Sequence, residues 1–208
     1  MFAPRTGGPL ALFAVLLAAV GAADFLLLVP FPGLTFLLWA GGVAVWLFLA
    51  NFFRDPTRAV GPGVVSAADG RVREVRETGP ELLISVFMNV SDVHVNRTPL
   101  EGTFVRVYDA GSGRRPAYRD DADQNVSRTY ELDTRLGPVR IVQITGILAR
   151  RLVSFVQSGA VSAKGDRFGM IVLGSRVDLF LPADRVVATV RVGERVYAGS
   201  TTVARERA

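Results

Sequence analysis

The feature that most restricts this chain is a pair of apolar runs between residues 9 and 53. PLALFAVLLAAVGAADFLLLV and GLTFLLWAGGVAVWLFLANFF are joined by Pro30-Phe31-Pro32-Gly33, and Arg5 and Asp24 are the only charged residues before Arg54. Each run approaches the roughly 20 apolar residues that a helix needs to cross a bilayer. Pro-Phe-Pro-Gly breaks a helix and reverses the chain. The spacing predicts an N-terminal apolar helical hairpin over 1–53, spanning or re-entrant and membrane-associated. Arg5, Arg54 and Arg58 flank its ends while the turn is uncharged, which places both ends on the cytoplasmic side. A cleaved signal peptide is the competing reading, because residues 18–23 offer small side chains after an apolar core. The second apolar run and the single preceding Arg argue against it.

Residues 54–63 (RDPTRAVGPG) suit an interfacial linker, with an Arg pair followed by Pro and Gly. From residue 64 to 208 the pattern changes to short β-type runs punctuated by Gly, Pro and Asp. ELLISVFMNV, TFVRVYDA, PVRIVQITGI, FGMIVLGSRVDLFLP and DRVVATVRVG carry the Val, Ile and Phe content of strands. One helical window is expected over 145–157, where Ile147, Leu148, Leu152 and Phe155 fall near helical spacing. Residues 109–128 are polar and Gly-containing and read as a loop. VSAKGDRFG and VRVGERVYAG both set Gly-acid-Arg-apolar after a Val-bearing strand. That echo fits a barrel-sandwich fold or, equally, two turns of similar chemistry. The expected fold is mainly β (α+β), a β-rich barrel-sandwich-like catalytic domain after the helical hairpin.

Composition narrows the chemistry. The chain has no Cys, a single His (His94) and a single Lys (Lys164). Thiolate nucleophiles, iron–sulfur clusters and thiolate zinc sites are excluded, and so is any metal site with two histidines. The formal charge is +5, but Arg is scattered without a run. A basic surface beside an apolar anchor points to anionic lipid and not to nucleic acid. An enzyme of this composition works with Ser or Thr, carboxylates, Arg, or a group made from the chain itself.

FFRDPTR, SAADGRV (with Asp69), MNVSDVHVNRTPLEG (with Asp92, His94, Asn96 and Arg97), QITGILARRLV, KGDRFGMI and LGSRVD follow one another along the chain. In these motifs, their order and their spacing, the sequence resembles the phosphatidylserine decarboxylase family in its short form, over nearly its whole length. The resemblance implies a self-processing enzyme. Ser175 attacks the carbonyl of Gly174, the ester that forms is eliminated, and residue 175 becomes a pyruvoyl group. The products are a β chain, 1–174, and an α chain, 175–208. The pyruvoyl group, with no metal and no pyridoxal phosphate, then forms a Schiff base with phosphatidylserine and takes up electrons as CO2 leaves.

The resemblance also carries over site residues. Ser175, His94 and Asp69 are the expected catalytic residues, with Gly174-Ser175 as the cleavage site. Asp69 matches the family's acidic residue and would orient His94. The long form has two histidines three residues apart, where this chain has His94 and Arg97. His94 therefore serves both self-cleavage and decarboxylation, or Asp92 shares the work. Arg150-Arg151 binds lipid phosphate or is simply a solvated face. Gly199-Ser200-Thr201 resembles the long form's cleavage motif but lacks a preceding strand and is set aside. The implied partners are a phospholipid substrate, the membrane and the chain's own cleaved halves, with a homo-oligomer left open. Two alternatives stay in view: the same reaction on archaetidylserine, and a non-enzymatic membrane-anchored β-domain.

Overall fold

The computed structural model describes residues 1–4, 6–27, 32–113, 115–117, 120–146, 151–172 and 175–207. The chain divides into two compact units, Met1–Thr57 and Arg58–Ala208. The division falls inside the stretch expected as a linker. Residues 59–63 belong to the second unit, where Gly61 N–H donates to the Gly199 carbonyl at 3.0 Å and the Thr202 hydroxyl to the Pro62 carbonyl at 2.7 Å.

In the first unit, α1 (Gly7–Leu27) and α2 (Pro32–Phe52) form a helical hairpin. Pro32 opens α2, where its missing N–H costs nothing. The helices approach closely at Gly42, where an added Cβ would lie 2.5 Å from Leu17 Cδ2, and the Trp46 indole N–H donates to the Leu10 carbonyl at 2.9 Å. The hairpin's ends are stitched together: Ala3 N–H bonds the Phe53 carbonyl and Asp55 N–H the Met1 carbonyl. Its outward side chains are apolar, with Leu12, Val15, Leu16, Val20, Leu37 and Leu38 each more than half exposed. Among the described residues no helix is long and apolar enough to cross a membrane.

The second unit is built from strands. Its first half contains β1 (Val64–Val65), β2 (Gly70–Thr78), β3 (Glu81–Met88), β4 (Val95–Arg97), β5 (Gly102–Ala110), β6 (Ser127–Thr134) and β7 (Gly137–Thr145). The second half adds β8 (Arg151–Ser154), β9 (Ala160–Ser162), β10 (Arg167–Val172), β11 (Ser175–Pro182), β12 (Val186–Ala188), β13 (Arg195–Val196) and β14 (Thr202–Glu206). An eight-stranded sheet runs β13-β2-β3-β11-β7-β6-β5-β9 and curls into a half-barrel. Two three-stranded sheets, β1-β14-β12 and β4-β10-β8, accompany it, and every strand pair is antiparallel. The two echoed turns follow β9 and precede β13, the two edges of the large sheet. The core includes Phe104, Tyr130 and Phe168, with ring centroids 4.8–5.9 Å apart.

Among the described residues of 145–157 the expected helix is absent. Thr145 ends β7, and Arg151–Ser154 is a strand paired with Val172–Gly169 of β10. Ile147, Leu148 and Arg150 lie outside the described residues. Leu152 and Val153 pair with Ile171 and Met170 of β10, and this long-range ladder overrides local helical spacing. The loop expected over 109–128 contains a 3₁₀ turn, η1 (Asp120–Gln124), and a fully buried Asn125. Asn125 closes the segment by donating to the Thr145 carbonyl at 2.6 Å and the Arg115 carbonyl at 2.7 Å.

Candidate active site

Ser175 is the first residue of β11, the strand inside the large sheet between β3 and β7. Its Cα partners are Met88 and Thr145, and it is fully buried. Its hydroxyl donates to Met88 Sδ at 3.3 Å. A thioether is a weak acceptor, so the hydroxyl is desolvated yet loosely held. The Asn96 amide also reaches Met88 Sδ, at 3.8 Å. Behind it, Gln143 Nε2 donates to Asn96 Oδ1 at 2.7 Å and the Tyr130 hydroxyl to Gln143 Oε1 at 3.1 Å. The chain of directed bonds orients both amides and puts the Asn96 amide nitrogen on the thioether that the Ser175 hydroxyl also uses. Gly169 leaves room for it, since a Cβ there would stand 2.9 Å from Gln143 Nε2 and 3.0 Å from the Tyr130 hydroxyl. Gly174 lies outside the described residues.

His94 precedes β4 and is fully buried. Its Nδ1 sits 2.8 Å from the Asp92 backbone carbonyl. A carbonyl only accepts, so Nδ1 carries the proton and, in the neutral ring, Nε2 carries the lone pair. The His94 carbonyl accepts from Ile171 N–H on β10, whose chain leads on toward Ser175. The Asp92 carboxylate is structural: it accepts from Asn89 N–H at 2.8 Å and from Arg195 Nη2 at 2.6 Å.

Asp69 is buried immediately before β2. Gly70 takes φ 147°, and a Cβ there would meet the Phe87 carbonyl at 2.1 Å, so only Gly admits this entry into the strand. The Asp69 carboxylate is gripped by Arg58 through two bonds, 2.5 and 2.7 Å, and by Ala198 N–H at 2.8 Å. These are its hydrogen-bond partners, while the partner at His94 Nδ1 is the Asp92 carbonyl. The two segments meet through backbone, because Arg97 N–H donates to the Ala67 carbonyl at 2.9 Å. Arg97 itself is buried, with Nη1 3.1 Å from the Gly165 carbonyl. Ser200 lies elsewhere, its hydroxyl on the Ala59 carbonyl.

Sequence reading passed over several of these groups. Arg58 reads only as a flank of the apolar hairpin and Arg195 carries no signal, since neither guanidinium has its carboxylate partner adjacent in sequence. Arg176 and Asp178 did give one: two residues apart on a strand, they share a face. Both are buried, joined by bonds of 2.9 and 3.1 Å, and Ser85 donates to the second Asp178 oxygen at 2.5 Å. Burial pushes the Asp178 carboxyl above its ordinary value, with Arg176 pulling the other way. Among the described residues no cluster of three or more His, Asp or Glu is placed to hold a metal.

Residues 45–204, which include Asp69, His94 and Ser175, match the family model for phosphatidylserine decarboxylase. The chain belongs to the phosphatidylserine decarboxylase family. It is 39% identical to the phosphatidylserine decarboxylase proenzyme of Aromatoleum aromaticum over 96% of this chain and 94% of that one. The proenzyme of the same name from Carboxydothermus hydrogenoformans is 39% identical over 77% of this chain and 81% of its own. A Methanococcoides burtonii protein named for archaetidylserine decarboxylase is 40% identical over 77% and 76%.

Proposed function

We propose that this chain is a proenzyme that splits between Gly174 and Ser175 and then decarboxylates phosphatidylserine to phosphatidylethanolamine. The observation that carries the reading is the setting of Ser175: a desolvated, weakly held hydroxyl at the head of an inner strand, beside a buried polar chain, in a member of this family. The Ser175 oxygen adds to the Gly174 carbonyl, the peptide nitrogen takes a proton, and the chain is joined by an ester. Loss of the residue-175 α-proton expels the carboxylate of Gly174, and water then replaces the amine as ammonia to leave a pyruvoyl group. That ketone supplies the electron sink for the pair released with CO2.

The remaining roles belong to the chain's own side chains. His94, with Nδ1–H on the Asp92 carbonyl, offers its Nε2 lone pair as proton acceptor in self-processing and returns a proton to the headgroup carbon afterwards. Asp69 is bound to Arg58 and supports His94 through the contact between their segments. The exposed apolar side chains of α1 and α2 suit contact with a lipid surface, where the substrate resides. We assign the catalytic unit to the cytoplasmic face of the cell membrane, from the Arg54 and Arg58 flank.

A denaturing mass spectrum of purified protein tests the first half: a 34-residue C-terminal fragment is expected, blocked at its start and reactive toward hydroxylamine. Conversion of phosphatidylserine vesicles tests the second. An intact chain without decarboxylase activity would favour a scaffold and overturn the reading. The likeness to the archaeal relative supports archaetidylserine as a second substrate, since the reacting headgroup is the same. Assays on both lipids side by side separate them.

A further inference from the structure

Splitting, as proposed above, leaves residue 175 at the end of a chain with no covalent tie to β10. The pyruvoyl end carries no ammonium charge, so it cannot form an ion pair of its own. One residue further on, Arg176 is 2% exposed and faces the opposite side of β11 from Ser175. Its guanidinium bonds the Asp178 carboxylate twice and also engages the Asp123 carboxylate. Ser85 on β3 holds the other Asp178 oxygen. Two residues of the 175–208 segment are thereby fixed to two residues of the 1–174 segment. Asp123 sits on η1, and η1 is itself fastened to Thr145, the Cα partner of Ser175, through Asn125.

We propose that Arg176 is a positioning residue that clamps the newly made chain end, so that residue 175 keeps its place after the peptide bond is gone. The proposal rests on the reading of Ser175 as the splitting site. Before the cut, residue 175 is held from both sides by the chain. After it, the chain holds residue 175 from its C-terminal side only, leaving the pairing with Met88 and Thr145 at a free end, and chain ends fray. A planar fork that bridges two carboxylates on different segments resists that fraying, whereas a lysine ammonium cannot span both in the same geometry. Reacting groups displaced by about 1 Å lose on the order of a hundredfold in rate, so the clamp acts on turnover and leaves splitting alone.

The test uses full-length wild type, Arg176→Lys, Asp123→Asn and Asp123→Glu. Asp123 is chosen because its side chain is 74% exposed, so the fold does not depend on it. Splitting is followed by denaturing mass spectrometry, and turnover of phosphatidylserine in detergent micelles is then measured on the split proteins. The expected result is splitting at the wild-type rate in all four. On turnover, kcat should fall about tenfold in Arg176→Lys and about threefold in Asp123→Asn, with KM within about twofold and Asp123→Glu close to wild type. Variants that split and turn over like wild type overturn the clamp alone. Folded variants that fail to split also overturn it, since the role would then lie before the cut. A wild type that never splits overturns the reading of Ser175 and the clamp with it.

Discussion

Replacing Ser175 by Ala should abolish splitting and activity while barely touching stability. The structure sets the size of that second effect. Among the described residues the Ser175 hydroxyl makes one hydrogen bond, 3.3 Å to a thioether, at the weak end of a range averaging about 1 kcal/mol. No strong acceptor is orphaned, because Met88 Sδ needs no donor. The backbone pairing of residue 175 with Met88 and Thr145 does not involve the side chain. One oxygen vacates about 10–15 Å³, worth roughly 0.3 kcal/mol at the usual cavity cost. The net loss should stay near 1 kcal/mol, a Tm change of about 2–4 °C for a unit of this size. Thermal unfolding of the variant against wild type caught before splitting gives this number, and mass spectrometry of the same samples gives the extent of cleavage. Ser200→Ala, which removes only a bond to the Ala59 carbonyl, is the control and should split normally. Phosphatidylethanolamine formed by an unsplit Ser175→Ala protein would refute the mechanism, and a Tm drop beyond about 10 °C would refute the packing argument.

Three other perturbations bear on the same site. His94→Gln should slow both splitting and turnover by about 10²- to 10⁴-fold; wild-type rates in both assays would remove His94 from the chemistry. Gly169→Ala places a Cβ 2.9 Å from the Val153 carbonyl as well as from Gln143 Nε2, and because one obstacle is backbone the unit should lose about 1–3 kcal/mol. An unchanged melting curve would contradict that. The Arg128 hydrogen bond holds the Asp109 carboxyl below its ordinary range. Its small contribution to stability is therefore present above pH about 4 and lost as pH falls through the native value, and Asp109→Asn should flatten the acid side of a Tm-against-pH curve without altering the neutral side.

The helical hairpin and the apolar strands were legible because each satisfies a local rule. PVRIVQIT reads as a strand and lies in β7; ELLISVFM is β3. Among the strands that escaped, the longest are β2 and β6, GRVREVRET and SRTYELDT. Their charged residues suggest turns, yet they are strands whose outward side chains are tied up in ion pairs such as Arg76 with Glu74 and Arg128 with Asp109. The helical spacing misled at Leu152 for the opposite reason, since an apolar residue fits two periodicities and pairing with Ile171 of β10 made this one a strand residue. In the site, the residue types were readable from motifs, but their partners were not. Arg195 and Asp92 are 103 residues apart in sequence, and only the register of β13 on β2 brings the guanidinium within 2.6 Å.

That distinction bears on how one histidine can serve two reactions. Under the proposed function, self-processing and decarboxylation happen to the same chain in succession and never together, so a single imidazole suffices if its tautomer is the same for both. The tautomer is fixed by a backbone carbonyl, that of Asp92, and not by a carboxylate that could itself take up a proton. The turn bearing that carbonyl is braced by the Asp92 side chain on Asn89 and Arg195, groups that the first reaction leaves unchanged. Asp69, meanwhile, is held by Arg58, so its charge is balanced locally and does not depend on the state of residue 175. Arg97, anchored to the Gly165 carbonyl, ties β4 to the turn before β10. Under the proposed function the division of labour follows from these contacts: one imidazole handles the protons, while Asp92 and Arg195 brace the turn that holds it.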